Sequence, residues 1–329
     1  MMYKVAVIGY RAQGSSHHAP AFARLPDCRI VAVCDVVEER AREGAEKFGA
    51  KAYTDVDRLL EDEEFDIANI PVGEKFRRDL VMKCLDRDKH IFTEKPLAGE
   101  AGQFAIQLSD VPVAREMIDE WQKRQGLRFG VCFGLHASAN VVRAKQVIAS
   151  GLLGDFAGMH VITQHNSWNH IIDLVRYFGG EVTEVAAQAD QPDEMNAKTA
   201  SLKFESGGMA TLASYKRLAL QFQIKWIGTE GEIIINNIAG DAYWYLHDSL
   251  ETTVYNENRT VKRCSYAAIF EGLIADFVES IVDGKEFVAD GWAGLRHMEI
   301  DAAITESIRS GQFIKVDRYR PDMGRRTIG

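Results

Sequence analysis

The chain has 329 residues, of which 46% are hydrophobic and 26% charged, and a formal net charge of −9 at pH 7. This length predicts two domains of roughly 100–200 residues each. The composition is that of a globular protein, and no apolar run approaches the roughly 20 residues of a membrane-spanning helix, so we expect no membrane partner. The negative charge repels a phosphate backbone and argues against a nucleic-acid partner.

The start of the chain and its cysteines bear on the compartment. Residues 1–8 resemble a β-strand rather than a secretory signal, which favours a cytoplasmic protein. The cysteines are odd in number, widely spaced and free of any Cys-x-x-Cys pair, which argues against a disulfide framework and a zinc cluster. They are Cys28, Cys34, Cys84, Cys132 and Cys264.

In the first 133 residues, short β-branched runs alternate with amphipathic helical patterns, as in βαβ units. The predicted strands are 3–8, 29–35, 50–53, 67–71, 90–93 and 128–133, separated by helical stretches that include 38–48, 75–86 and 113–125. We therefore predict an α/β protein whose N-terminal domain, residues 1–134, is a doubly wound parallel sheet.

The pattern changes after residue 134. Predicted helices at 140–150 and 169–178 flank a strand at 157–163, and two late helices cover 267–282 and 294–310. Between them lie successive strands at 184–189, 199–205, 209–215, 222–228, 233–236 and 242–246. Sequential strands joined by glycine turns favour antiparallel pairing. We predict that residues 135–329 form an α+β domain with a large, open, mostly antiparallel sheet.

A glycine-rich turn links the first predicted strand to a helical stretch that runs through Leu25. Its residues are Gly9, Tyr10, Arg11, Ala12, Gln13 and Gly14. Strand, glycine turn and helix in this order match the Rossmann dinucleotide fingerprint, in which a pyrophosphate binds helix N-terminal amides. Arg11 replaces the middle glycine, and the alternative is a turn that only packs a helix on a strand.

Asp35 ends the second predicted strand, where a carboxylate accepts hydrogen bonds from the adenosine ribose. A carboxylate there repels a 2′-phosphate, so we expect NAD rather than NADP. The alternative role for Asp35 is the N-cap of the following helix, and both roles are compatible. Lys95 follows the strand at 90–93, and its position at the carboxyl end of a strand directs it into the ligand crevice of an open α/β sheet.

Two segments resemble the glucose–fructose oxidoreductase/inositol dehydrogenase family, known also as Gfo/Idh/MocA. Residues 89–97 resemble its GKHVxxEKP segment, and residues 170–178 resemble its HxxDLxRYL helix. The resemblance continues to the final helices and covers essentially the whole chain. It implies that Lys95 contacts nicotinamide and substrate, that His170 is the acid/base, and that Glu94 and Pro71 flank the cofactor.

The chemistry agrees with this implication. Removing a hydride from a carbinol carbon requires a base for the hydroxyl proton, and imidazole titrates near neutral pH. His170 is the candidate base, and Lys95 the cation that stabilises the alkoxide. The alternative for His170 is a buried core histidine. Asp173 lies on the same helical face, where it orients the imidazole or pairs with Arg176.

The substrate side departs from the family pattern. Asn166 stands where the family commonly has an aspartate, and the segment before the helix is short. We assign substrate contacts to Asn166, Trp168 and Asn169, because an aromatic face beside amides suits a sugar ring, with core packing as the alternative for Trp168. His136 lies where the family often has an asparagine or arginine, and it is a further candidate contact together with Asp173. His160, His165 and His170 recur at five-residue steps, which places them on one face of neither helix nor strand, so we predict no metal site.

We predict an NAD-dependent oxidoreductase acting on the CH-OH group of a sugar, polyol or cyclic alcohol. Two alternatives stay open: a redox-neutral glycosidase that uses NAD transiently, and a non-catalytic regulator that binds NAD or a sugar. Family members generally pair through the open face of the second sheet, so the resemblance also implies a homodimer or homotetramer.

Overall fold

The structure is a computed structural model that describes residues 2–191, 195–238, 240–256 and 266–320. Cys28, Cys34, Cys84 and Cys132 are buried and free of disulfide bonds. The fifth predicted thiol, Cys264, lies outside the described residues. None of the helices in the described ranges is long and apolar enough to cross a membrane.

The N-terminal sheet confirms the predicted doubly wound α/β fold. Its six parallel strands lie in the order β3-β2-β1-β4-β5-β6. They are β1 (Tyr3–Ile8), β2 (Cys28–Cys34), β3 (Lys51–Tyr53), β4 (Ile67–Ile70), β5 (His90–Thr93) and β6 (Phe129–Val131). The helices between them are α1 (Ala19–Arg24), α2 (Glu38–Phe48), α3 (Val56–Asp62), α4 (Glu74–Leu85) and α5 (Val111–Gln122). This strand order reverses between β1 and β4, where open sheets of this kind bind ligands.

The connection after β1 differs from the predicted single helix. Residues Gly14–His18 form one π-helical stretch, and α1 begins only at Ala19. The turn itself requires glycine at both ends: Gly9 has φ +103°, and a Cβ on Gly14 would lie 2.2 Å from the Gly9 carbonyl oxygen. The close approach of the helix to the strand is therefore possible only without a side chain at residue 14.

The second sheet is also confirmed as large and mostly antiparallel. Its nine strands lie in the order β14-β13-β12-β11-β7-β10-β9-β8-β15, and the one parallel pair is β7 with β10. They are β7 (Phe156–Gln164), β8 (Val182–Ala189), β9 (Ala197–Phe204), β10 (Met209–Tyr215), β11 (Phe222–Gly228), β12 (Gly231–Asn236), β13 (Ala242–Leu246), β14 (Thr253–Tyr255) and β15 (Ile314–Lys315).

Four helices join the two sheets: α6 (Ala139–Ala149), α7 (Trp168–Gly179), α8 (Tyr266–Asp283) and α9 (Gly291–Ser310). Helix α9 is buried along most of its length and packs on α5, α7 and β8. Helix α8 packs on α1, and the ring of Phe277 lies against Phe92 of β5. The last two helices therefore fix the position of the second sheet relative to the first.

Candidate active site

A cavity of about 1150 Å³ opens at the carboxyl ends of the N-terminal strands. It is bounded by both halves of the chain. The predicted site residues that line it are Gly9, Arg11, Ala12, Gln13, Asp35, Pro71, Glu94, Lys95, Asn166 and His170. The structure therefore brings the glycine turn, the Lys95 turn and the start of α7 to one space.

Two residues of the glycine turn lie behind it instead of facing the cavity. Tyr10 is 2% exposed, and its ring packs edge-on against Phe48 and beside Gly44. Gly14 supports the turn through its contact with Gly9. Both residues shape the turn, because Tyr10 fills the core below it and Gly14 allows the helix to approach; their direct contact with the cofactor stays a prediction.

Asp35 lies at the edge of the cavity, and its oxygens already have protein partners. Oδ2 accepts from the Tyr10 amide at 2.9 Å, and Oδ1 accepts from the Val37 amide at 2.9 Å and from Arg40 Nη2 at 2.7 Å. Burial raises the pKa of Asp35, but these hydrogen bonds outweigh it and lower the pKa. The N-cap residue of α2 is Val37, so Asp35 accepts hydrogen bonds near the start of the helix without being its N-cap residue. Sequence reasoning missed Arg40.

Glu94 anchors the turn that carries Lys95. Its Oε1 lies 3.1 Å from His18 Nε2, and its Oε2 accepts from the Lys95 amide at 3.1 Å. His18 Nδ1 lies 2.8 Å from Asn69 Oδ1, so both imidazole nitrogens have partners. Burial opposes ionisation of Glu94, but the His18 hydrogen bond and the Lys95 charge bring its pKa to about 2. Glu94 is therefore an ionised support for the Lys95 turn.

Glu94 also belongs to a buried cluster of metal-type donors, the one found in the described ranges. Donor atoms of His18, Glu94 and Cys132 lie within 4.8 Å of one another. Burial raises the pKa of the Cys132 thiol well above its usual value, and His18 is fully engaged in hydrogen bonds. A thiolate and a free imidazole nitrogen are what a zinc ion requires. The donors are better described as a hydrogen-bonded support.

Arg77 is a further residue that sequence reasoning missed. It is 2% exposed, donates to the Val72 carbonyl at 2.6 Å and also donates to the Pro96 carbonyl. Burial lowers its pKa to about 10, so it stays charged at neutral pH. Because it bonds one carbonyl after β4 and another after Lys95, Arg77 ties together the two loops on either side of the cavity.

Lys95 and His170 face each other across the inner end of the cavity. Lys95 Nζ donates to Gln103 Oε1 at 3.2 Å. His170 is 6% exposed, and its Nδ1 has no hydrogen-bond partner among the described residues. Burial, followed by the charge of Lys95, lowers the pKa of His170 to about 3. The imidazole is therefore neutral at neutral pH, and Nδ1 is available for a hydrogen bond to a bound hydroxyl group.

Four of the predicted substrate contacts lie behind the cavity wall. His136 and Asp173 form a buried pair at 2.5 Å. Burial alone would raise the pKa of Asp173, but the contact with His136 outweighs burial and lowers the pKa. Asn169 is fully buried between the Gln103 carbonyl and His297. Trp168 is fully buried and donates to Asp301 at 2.7 Å. None of these four side chains lines the cavity: Trp168 and Asn169 bond residues of α9, and Asp173 of α7 pairs with His136, which precedes α6. Their direct contact with a substrate stays a prediction.

Asn166 lines the cavity. The unpredicted lining residues include Gln103, Tyr266 and Phe270. Phe270 stacks on His17 with ring centroids 4.7 Å apart, and Tyr266 packs edge-on against the same imidazole. Gln103 and the two aromatic residues are more than 60 positions from Asn166, and no motif marks them, so the sequence held no local signal for them.

A parallel nucleotide-binding sheet, a glycine turn and a lysine–histidine pair in one cavity define a two-domain, dinucleotide-dependent oxidoreductase. The chain belongs to the Gfo/Idh/MocA family. Residues 3–109 match the family model described as an oxidoreductase family with an NAD-binding Rossmann fold, and residues 165–317 match its C-terminal alpha/beta domain. The cofactor is therefore NAD, and the backbone of Gly9 and of residues 11–13 at the cavity fits its pyrophosphate.

Several relatives cover nearly the whole chain. A myo-inositol 2-dehydrogenase of Thermotoga maritima is 23% identical, with 95% of this chain and 98% of the relative covered. A scyllo-inositol 2-dehydrogenase (NAD(+)) of Bacillus subtilis is 22% identical, with 98% of each covered. Among solved structures, levoglucosan dehydrogenase in complex with NADH has a TM-score of 0.85 at 18% identity, covering 97% of this chain and all of that one. At this identity the structural match establishes the fold.

Proposed function

We propose that this protein is an NAD-dependent dehydrogenase that oxidises a ring hydroxyl of a cyclitol or sugar and runs the reverse reduction. The observation that carries the proposal is the pairing of a neutral, buried His170 with Lys95 in the cavity that the NAD-binding turn also lines. The related inositol dehydrogenases supply the substrate class.

The two side chains have complementary tasks in this reaction. Lys95 donates a hydrogen bond to the reacting oxygen and stabilises the negative charge that develops on it. His170 is neutral in the resting state, and its unprotonated ring nitrogen accepts the hydroxyl proton. The nicotinamide ring, when bound, supplies the acceptor for the hydride. Glu94 and Arg77 keep the Lys95 turn in position, since each bonds the backbone on one side of it.

The cavity suits a ring with hydroxyl groups around its edge. Asn166 and Gln103 offer amide donors and acceptors, and Tyr266 and Phe270 offer an apolar surface to the C–H face of a ring. A cyclitol or pyranose presents both kinds of surface. A linear acid would leave the aromatic side without a partner.

The experiment is a substrate panel with purified protein. Formation of reduced nicotinamide is followed by absorbance while NAD, and separately NADP, is offered with inositols, pyranoses and their keto derivatives. We expect turnover with NAD and at least one cyclitol or sugar. If no compound of the panel gives reduced nicotinamide although calorimetry demonstrates NAD binding, the proposal is contradicted. That result would favour the redox-neutral glycosidase or the regulator.

We also propose that the chain works as a cytoplasmic homo-oligomer, with the division between its domains at residues 134 and 135. Four reduced, buried cysteines suit a reducing compartment.

Met209 and Tyr215 of β10 are 57% and 40% exposed, and an apolar side chain at such a position favours pairing of two copies. Light scattering of the wild type and of Tyr215→Asp tests the assembly: we expect at least a dimer that the substitution weakens, and a monomeric wild type would contradict it.

A further inference from the structure

Residues 98–107 connect the Lys95 turn to the start of the next helix, and we call this segment the strap. It contains no helix or strand. Ala98 and Ile106 are buried near its two ends, while Glu100 and Ala101 in between are exposed. Gly102 adopts φ +90° and reverses the chain, so that Gln103 comes back to the cavity.

Two buried side chains of the second half of the chain hold the strap by its backbone. Asn169 Nδ2 donates to the Gln103 carbonyl at 3.1 Å, and Lys198 Nζ donates to the Phe104 carbonyl at 3.2 Å. Lys198 is 2% exposed, with its ammonium 4.1 Å from the Trp168 ring centre. The ring of Phe104 lies 4.1 Å from that of His165. Consecutive residues of the strap are thus fixed from the substrate side.

This anchoring directs the Gln103 side chain at the reacting centre. Its Oε1 accepts the 3.2 Å hydrogen bond from Lys95 Nζ, the group that holds the reacting oxygen in the proposed reaction. A carboxamide offers one acceptor oxygen and two N–H donors. When the reacting oxygen of a substrate takes the Lys95 donor, the Gln103 amide lies beside it, within reach of a hydroxyl on the adjacent carbon.

We propose that Gln103 is a substrate-selecting residue that bonds the hydroxyl on the carbon next to the one being oxidised. The chain would then prefer vicinal diols, such as cyclitols and pyranoses, over isolated secondary alcohols. A substrate without the second hydroxyl leaves the amide without a partner, which a binding site penalises more than it penalises a missing methylene. The inference rests on the proposed dehydrogenase function and specifies its substrate class.

The first readout needs no substrate. Protein loaded with NADH is acetylated briefly with acetic anhydride, and mass spectrometry compares labelling of Lys95 with that of the exposed Lys47. Gln103→Leu keeps the size of the side chain and removes the acceptor, so we expect several-fold faster labelling of Lys95. Glu100→Ala, an exposed change in the same strap, should match the wild type. Equal labelling of Lys95 in wild type and Gln103→Leu overturns the inference.

The second readout is selectivity between vicinal trans-cyclohexanediol and cyclohexanol with NAD. The loss of one neutral hydrogen bond predicts about a tenfold fall in the preference for the diol in Gln103→Leu, measured as the ratio of kcat/KM for the diol to kcat/KM for cyclohexanol and expressed mainly in KM for the diol. An unchanged preference overturns the inference while the dehydrogenase function stands. If the wild type oxidises none of the polyols, the proposed dehydrogenase function is overturned, and the role of Gln103 in substrate selection with it. This holds even if Gln103→Leu still changes the labelling rate of Lys95.

Discussion

The two ends of the cavity are built differently. At the cofactor end, four residues of one turn, Gly9 and residues 11–13, line the cavity together with Asp35, which accepts a hydrogen bond from the backbone of that turn. At the substrate end, the lining comes from separate parts of the chain, and buried polar side chains such as Asn169 and Lys198 hold it from behind. One end can therefore be altered locally, whereas a change at the other affects the wall that positions the reacting groups.

The strongest test of this contrast lies at the reacting centre. Lys95→Met and His170→Phe each remove one polar function and keep most of the side-chain volume. We expect kcat to fall by roughly 10²–10⁴ in each, because general acid–base and electrostatic contributions have that size. Stopped-flow and steady-state assays measure the rates, and calorimetry measures NADH binding.

Binding of NADH should be nearly unchanged in His170→Phe, since this residue belongs to the substrate end. A His170→Phe variant that keeps wild-type turnover would contradict the assignment of His170 as the base.

The wall behind the substrate end predicts a loss of stability. Asp173→Asn keeps the shape but removes the charge that His136 pairs with at 2.5 Å. Breaking a buried pair on one side costs about 3–5 kcal/mol in the free energy of unfolding. Urea denaturation measures it, and Glu39→Gln on the exposed face of α2 is the control.

The pH dependence of this stability follows from the direction of the Asp173 shift. The pKa of Asp173 is lowered in the folded protein, so its contribution is complete above the unfolded value and is lost as the pH falls through the folded one. The gap between wild type and Asp173→Asn should be constant near neutral pH and shrink below about pH 4. A gap that grows on acidification would contradict the pairing.

A change at the cofactor end should be smaller and local. Asp35→Ser removes the carboxylate that is expected to accept from the ribose, and it releases Arg40, which now donates to Asp35 at 2.7 Å. We expect NAD to bind about tenfold more weakly and NADP more tightly, because a free guanidinium attracts a 2′-phosphate. Calorimetry with both cofactors checks this. The free energy of unfolding should change less than in Asp173→Asn, and the reverse ranking would break the contrast.

The smallest predicted effect concerns pH: the reaction rate should not change near the ordinary pKa of histidine. Burial and Lys95 lower the pKa of His170 from the ordinary 6.5 to about 3, so His170 is unprotonated on both sides of pH 6.5. The value of kcat/KM for oxidation should therefore show no acidic limb centred near the ordinary histidine value. A pH–rate profile with NAD measures it, and a limb at that position would mean that His170 is less desolvated than its environment indicates.

The same contrast explains what the sequence could reveal. The Gly9–Gly14 turn, Asp35 and Lys95 were predictable because each is marked by its place at the end of a strand. Trp168 and Asn169 were assigned to the substrate because an aromatic face beside an amide suits a sugar ring, yet their partners, Asp301 and His297, lie on α9. The helix periodicity did not reveal which face α9 would cover.

The unpredicted residues lie where no pattern exists. Gln103 is in a segment without helix or strand, and its direction depends on hydrogen bonds from Asn169 and Lys198. Phe270 reads as an ordinary apolar residue of an amphipathic helix, and only the packing of α8 beside His17 brings it to the cavity. Such positions are set by tertiary contacts, which a single sequence does not display.

The most direct test of the central claim is isotope transfer. Ring-deuterated myo-inositol, and a panel of other cyclitols and pyranoses deuterated at carbon, are incubated with the protein and NAD, and the cofactor is analysed by mass spectrometry. We predict deuterium in the reduced nicotinamide with wild-type protein and a strong reduction with Lys95→Met. Cofactor that binds but gains no deuterium from any of these compounds would contradict hydride transfer at this site.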